Sequence, residues 1–215
     1  MSEIIKIDIN LQIDRINRLQ YVLDWIKNVA YNQTKLNKLE KGIDTDIYDK
    51  DRLSAKREKL MEKEDLLCYL TSAQMKIRIM ELDDLMTYHR EVAIAKNVDM
   101  ETRKESAFLM NDLSDEYKEL NKKYDESLYE IEPELYREFA KIYDMIINGT
   151  SLDTVKHAFR TFAELQNGKI TINQAANRGL DYEESRGAPE GFFDFALEGQ
   201  RLRQGKKSKK YNKIR

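Results

Sequence analysis

The sequence predicts an all-α protein: a long antiparallel, coiled-coil-like helical hairpin with an N-terminal helix, a small C-terminal helical cap and a basic C-terminal tail. Three observations lead there. Only 8 glycines and 2 prolines punctuate 215 residues, and these are the residues that interrupt helices. Apolar side chains recur at spacings of three and four through most of the chain, the period of a helix with one buried face. Charged residues make up 35% against 41% hydrophobic, the balance of elongated helices with narrow apolar stripes. Four segments follow: 1–42, an N-terminal segment and helix; 43–131, the hairpin; 132–200, the cap; and 201–215, the tail.

The first element has two readings. Apolar residues at Ile5, Ile7, Ile9, Leu11 and Ile13 alternate, which is a strand signal. A lone strand leaves its backbone unsatisfied, whereas Ile9, Ile13 and Ile16 fit the spacing of a helix. From about Asp14 to Lys41 the pattern is helical, with Ile16, Leu19, Leu23, Ile26 and Val29 on one face. Trp25 lies near that face as a packing residue. Gly42 ends the helix.

Asp44 or Asp46 is placed to cap a second helix, and no glycine or proline occurs from Ile47 to Asn97. Leu53, Leu60 and Leu67 are seven apart, and Leu66, Leu70, Ala73, Ile77 and Met80 continue by four, three, four and three. That is coiled-coil spacing. Leu82, Leu85, Met86, Val92 and Ala93 shift the stripe, which predicts a break or stutter near residue 80. Unbroken, such a helix is about 75 Å long at roughly 1.5 Å per residue. Asn97-Val98-Asp99 reads as a reversal, with Asp99 capping the returning arm. Met110, Leu113, Tyr117, Leu120, Tyr124, Leu128 and Ile131 form the seam of that arm. A short link between two long amphipathic helices makes them antiparallel neighbours.

Pro133 opens the next helix, which stops near Asn148-Gly149. Thr150 or Ser151 starts another, carrying Leu152, Val155, Phe159 and Phe162, and Gly168 closes it. Thr171 and Gln174 form a capping-box pattern for a short helix to about Glu184. Pro189 opens a last helix bearing Phe192, Phe193 and Phe195 and ending at Gly205.

Charge is the clearest functional pointer. Arg201, Arg203, Lys206, Lys207, Lys209, Lys210, Lys213 and Arg215 are eight cations with no carboxylate among them. Removing those eight from the 37 basic residues leaves 29 against 39 acidic ones, so residues 1–200 carry −10 while the whole chain carries −2. Such a segment neutralises phosphates without reading sequence, and Tyr211 within it is able to stack on a base. An acidic protein surface, including that of a neighbouring subunit, is the other chemistry it fits. Phe192, Phe193 and Phe195 cannot all face one narrow stripe, which makes them candidate partner-docking residues.

Catalytic signatures are missing from the sequence. There is no phosphate-binding glycine loop, no nucleophile elbow and no dinucleotide fingerprint. The histidines, His89 and His157, are preceded three residues earlier by Met86 and Thr154, so the Glu-x-x-His pattern of di-iron bundles is missing at both. Glu62, Glu64 and Asp65, then Glu81, Asp83 and Asp84, then Glu130, Glu132 and Glu134 read as solvated helix faces. Residues 151–184 have the outline of a helix-turn-helix, but Asp181, Glu183 and Glu184 on the second helix repel phosphate. Cys68, beside Leu66, Leu67 and Leu70, reads as a small buried hydrophobe. With no pairing partner, it points to a reducing compartment. No stretch approaches the ~20 apolar residues of a membrane span, and Met1-Ser2-Glu3 does not open a secretory signal.

The expectation is therefore a non-enzyme without metal or cofactor, in the cytoplasm or in a virus particle assembled there, with no membrane partner. It is an assembly protein that contacts protein partners, other copies of itself included, through its helices. Viral scaffolding, head–tail and internal virion proteins share this outline as a matter of architecture alone. The alternative is a nucleic-acid accessory or regulatory factor that grips DNA or RNA through residues 201–215.

Overall fold

The computed structural model describes residues 6–43 and 49–186. The described residues form seven α-helices and no strand: α1 Ile9–Glu40, α2 Lys50–Met61, α3 Leu70–Ile94, α4 Met100–Leu128, α5 Pro133–Ile147, α6 Leu152–Gln166 and α7 Ile172–Arg186. No described helix is long and apolar enough to cross a membrane. Two compact units result, one from residues up to Asn17 together with those from Leu135 on, the other from Arg18–Glu134.

In the Arg18–Glu134 unit, α1 buries Leu19, Val22, Leu23, Trp25, Ile26, Val29, Ala30 and Leu36. Two side chains of this helix hold α2 alongside it. Trp25 Nε1 donates to the Leu60 carbonyl at 2.9 Å and Asn32 Nδ2 to that of Leu53 at 2.8 Å. The residue numbers fall on one helix as they rise on the other, so α2 runs antiparallel to α1.

The single helix expected from Ile47 to Asn97 is broken, and the break lies at residues 62–69 rather than near residue 80. Lys63 leaves the helical region (φ −82, ψ 77) and a 3₁₀ turn follows over Glu64–Tyr69. The cause is tertiary. In an unbroken helix the Leu60 carbonyl would accept from Glu64 N–H. Here Trp25 takes that carbonyl, and Glu64 N–H turns to the Glu62 carbonyl at 3.1 Å. Leu66 then plunges into the core at 2% exposed while Leu67 stays outside at 38%, so the Leu53–Leu60–Leu67 heptad does not form one stripe. The expected caps Asp44 and Asp46 lie outside the described residues; Asp49 caps α2 through Arg52 N–H.

α3 and α4 lie side by side, antiparallel. Ser72 Oγ meets Ser127 Oγ at 2.9 Å, Arg78 Nε donates to Glu116 at 2.9 Å, and Arg103 Nε donates to the Ala93 carbonyl at 2.9 Å. Tyr124, Leu128 and Ile131 are buried; Met110, Leu113, Tyr117 and Leu120 are half-buried. The reversal uses Ala95–Asp99, and the Asp99 carboxylate accepts from Glu101 N and Thr102 N at 3.0 Å each.

In the other unit, α5, α6 and the start of α7 enclose Leu135, Ile142, Tyr143, Ile146, Val155, Phe159, Ala163, Leu165 and Ala175, with Ile16 from α1. Phe139 interrupts α5 (φ −138, ψ 51), and its ring meets Phe159 edge-on at 5.1 Å. Gly149 and Gly168 adopt positive φ. The amide after each reaches back to a carbonyl five residues earlier, Thr150 N to Met145 O at 2.9 Å and Lys169 N to Glu164 O at 2.8 Å, which closes each helix end.

The Ile-rich start resolves as a helix from Ile9 onward. Ile7, just before it, receives a strand-like pair of bonds from one side chain. Asn167 Oδ1 accepts from Ile7 N at 2.8 Å and Asn167 Nδ2 donates to Ile7 O at 2.9 Å. The two backbone groups of Ile7, which a lone strand would leave unpaired, are thus satisfied by a side chain.

Candidate functional site

Six large apolar side chains more than a third exposed lie between Leu85 and Leu109: Leu85 (40%), Tyr88 (60%), Ile94 (69%), Met100 (71%), Phe108 (70%) and Leu109 (48%). For Leu85 and Tyr88 the exposure has a cause in chain length. α1 runs parallel to α3 and touches it through Thr34 on Met80, Asn37 on Glu81 at 2.8 Å and Lys38 on Asp84 at 2.7 Å. Partners differ by about 45 in number, so the last helical residue of α1, Glu40, reaches the level of Leu85. α3 continues to Ile94 without that cover. The nine further residues make a projection of about 14 Å.

The face involved is a continuation of the covered one. Leu85 stands four residues after Glu81 and Tyr88 four after Asp84, and residues four apart share a helix face. Val92 extends the row and is half-buried. The Ser72–Ser127, Arg78–Glu116 and Ala93–Arg103 contacts fix the register of α4. They put Leu109 at the level of Tyr88. Phe108 sits on the side of α4 turned away from α3. His89 lies edge-on to Tyr88 with ring centroids 5.2 Å apart, and its buried Nδ1 has no hydrogen-bond partner.

Residues 85–111 carry Arg90, Lys96, Arg103 and Lys104 against Glu91, Asp99, Glu101 and Glu105. The projection is therefore neutral, although residues 1–200 carry −10.

The residues singled out in the sequence have different fates. Arg201, Arg203, Lys206, Lys207, Lys209, Lys210, Lys213 and Arg215, together with Phe192, Phe193 and Phe195, lie outside the described residues. Among the carboxylate groups, Glu81 accepts from Asn37 and faces Lys41 at 3.9 Å, Asp84 pairs with Lys38, and Glu132 pairs with Arg18 at 3.2 Å. They tie helices together. Among the described residues no three His, Cys, Asp or Glu side chains group to hold a metal ion. Cys68 is exposed, not buried as its leucine neighbours suggested, because the 3₁₀ turn spends its one inward position on Leu66. On α7, the Arg178 guanidinium is paired with Glu164 of α6, and Gln174 accepts from Thr171 N at 2.8 Å in the capping box. His157 stacks on Tyr182 at 4.1 Å.

Sequence reasoning missed the projection as a site. Its signal was present in Phe108, an aromatic off the Met110–Leu113–Tyr117 seam, and in an N-terminal helix too short to cover the full arm.

No known protein family, curated protein or solved structure matches this chain.

Proposed function

We propose that this chain is a non-enzymatic assembly protein: a coiled-coil-like helical hairpin that docks protein partners through its uncovered end, and a basic segment, residues 201–215, that engages a polyanion or an acidic surface. The observation that carries the reading is the end of α1 at the level of Leu85, beyond which α3 and α4 present Leu85, Tyr88 and Leu109 to solvent. Exposed apolar side chains grouped on one element are the usual mark of a protein–protein contact. Neutral charge there supports a protein partner over a nucleic acid, which would need a cationic face. An internal component of a virus particle is one setting for such a subunit.

Residues 201–215 favour a second reading, a nucleic-acid accessory factor, because eight cations and Tyr211 occur there without a carboxylate. One experiment separates the two. Light scattering is measured with and without duplex DNA, on the full-length chain and on a form ending at Gln200. The assembly reading expects association without DNA that survives removal of residues 201–215. A chain that stays monomeric and binds DNA only when those residues are present would establish the second reading instead.

A further inference from the structure

We propose that α2 and the adjoining flank of α1 form a contact site for single-stranded nucleic acid, separate from the uncovered end and from residues 201–215. None of the residues of α2 is fully buried. Arg52, Lys56 and Lys59 follow one another at intervals of four and three, which places them on one flank of the helix. Lys56 Nζ reaches Asn28 Oδ1 of α1 at 3.4 Å. Lys63, just past the end of α2, extends the row, because its Nζ lies 4.6 Å from the ring centre of Tyr21, seven residues before Asn28 and on the same face of α1. From Arg52 to Lys63 the row spans roughly 15 Å. Asp51, Glu58 and Glu62 stand on the other side of α2, opposite Leu53 and Leu60.

The row is uncompensated. Like charges three or four apart on a helix repel, as Arg52 with Lys56 and Lys56 with Lys59. Elsewhere in this unit cations are matched: Arg18 with Glu132, Lys38 with Asp84, Arg78 with Glu116 and Lys123 with Glu119. Among the described residues, Arg52, Lys56, Lys59 and Lys63 form no ion pair. The carboxylates that helical spacing puts beside them are engaged by other donors, Asp49 by Arg52 N as the cap of α2 and Asp24 by Gln20 Nε2 at 2.8 Å. A chain of phosphates relieves the repulsion without displacing any of these bonds.

Two exposed rings narrow the partner. Trp25 meets the Leu60 carbonyl and Asn32 that of Leu53, so Tyr21 lies level with Glu64 and Tyr31 with Ser54, at the two ends of the row. Tyr21 is 44% exposed and Tyr31 50%, and Lys35 Nζ stands 5.4 Å from the Tyr31 ring centre. An acidic peptide uses the cations alone. A single strand uses cations and rings together, phosphates on the row and unpaired bases stacked on the tyrosines.

The test uses the full-length chain with the eight cations of residues 201–215 changed to glutamine, so that binding by that segment is removed. Fluorescence anisotropy with oligo-dT and oligo-U of about twelve nucleotides is expected to show binding at low salt. Lys56→Gln with Lys59→Gln weakens it about tenfold and reduces the slope of log K against log salt by about 1.4. Lys50→Gln with Arg57→Gln removes the same charge from the other flank of α2 and leaves affinity within about twofold. Tyr21→Ala with Tyr31→Ala weakens binding at least about fivefold at unchanged helicity by circular dichroism, whereas changing both to Phe does not. Binding of either oligonucleotide in this pattern supports the site, and the tighter of the two assigns it to DNA or RNA. No binding, equal loss from the two charge pairs, or preference for a duplex indifferent to the tyrosines would overturn it.

Discussion

Trp25 shows how one side chain shapes a large part of this fold. Its ring is 2% exposed, and its indole N–H takes the Leu60 carbonyl that a continuous helix would have used. Trp25→Phe keeps most of the ring but leaves that carbonyl without its donor. The expected loss is about 1–2 kcal/mol, read as a lower urea midpoint at unchanged slope. Tyr124 makes a second prediction. Its ring is buried in the α3–α4 seam with Lys76 Nζ 5.3 Å from the centroid. Burial, reinforced by Asp125, pushes the phenol up to about 12. The folded state thus holds the proton more tightly than the unfolded chain, whose tyrosines ionise near 10. Stability from this group is complete below pH 10 and is lost as pH rises towards 12, by on the order of 2 kcal/mol. Thermal melts at neutral and alkaline pH, compared between the native chain and Tyr124→Phe, check it. The variant is expected to lack that part of the alkaline loss.

At the scale of elements, helix ends were legible in the sequence and helix continuity was not. Asp99, Ser151 and the Thr171/Gln174 pair cap the helices that follow them, because a short polar side chain beside free backbone N–H groups acts locally. Gly42, Gly149 and Gly168 end helices for an equally local reason, their positive φ. The break between α2 and α3 has no such marker. Neither glycine nor proline occurs there, and its cause is Trp25, 35 residues away along the chain. The candidate site was hidden for a related reason. Whether Tyr88 is covered depends on where α1 stops against α3, which follows from register between distant helices. The caps carry a prediction of their own. Ser151→Ala is expected to cost about 1 kcal/mol, seen as a lower thermal midpoint. At the reversal, Asp99 acts through pH. Bonds from Thr102, backbone first and hydroxyl second, hold its carboxyl below the usual carboxylate range. Its contribution is present above the unfolded carboxylate pKa and fades as pH falls through the folded value. Amide protection at residues 99–103, after correction for the intrinsic pH dependence of exchange, is expected to fall in acid, and in Asp99→Ala at neutral pH.

For the whole molecule, the governing feature is charge separation along the chain. Residues 1–200 carry −10 and residues 201–215 carry +8. A polyanion meeting this chain is repelled by most of it and attracted most strongly by one segment. Binding to duplex DNA, if the basic segment supplies it, must then be steeply dependent on salt. Each phosphate neutralised contributes a slope of about −0.9 in log K against log salt. Eight cations set a ceiling near −7, and the acidic body draws the net affinity below that of an isolated basic peptide. An acidic protein surface gives a different result, because condensed counterions are fewer and the slope is correspondingly shallower. The measurement is therefore a salt titration of fluorescent duplex DNA against the full-length chain and the form ending at Gln200. A slope steeper than about −4 that disappears with residues 201–215 assigns the segment to nucleic acid. No binding at low salt leaves an acidic protein surface as its target.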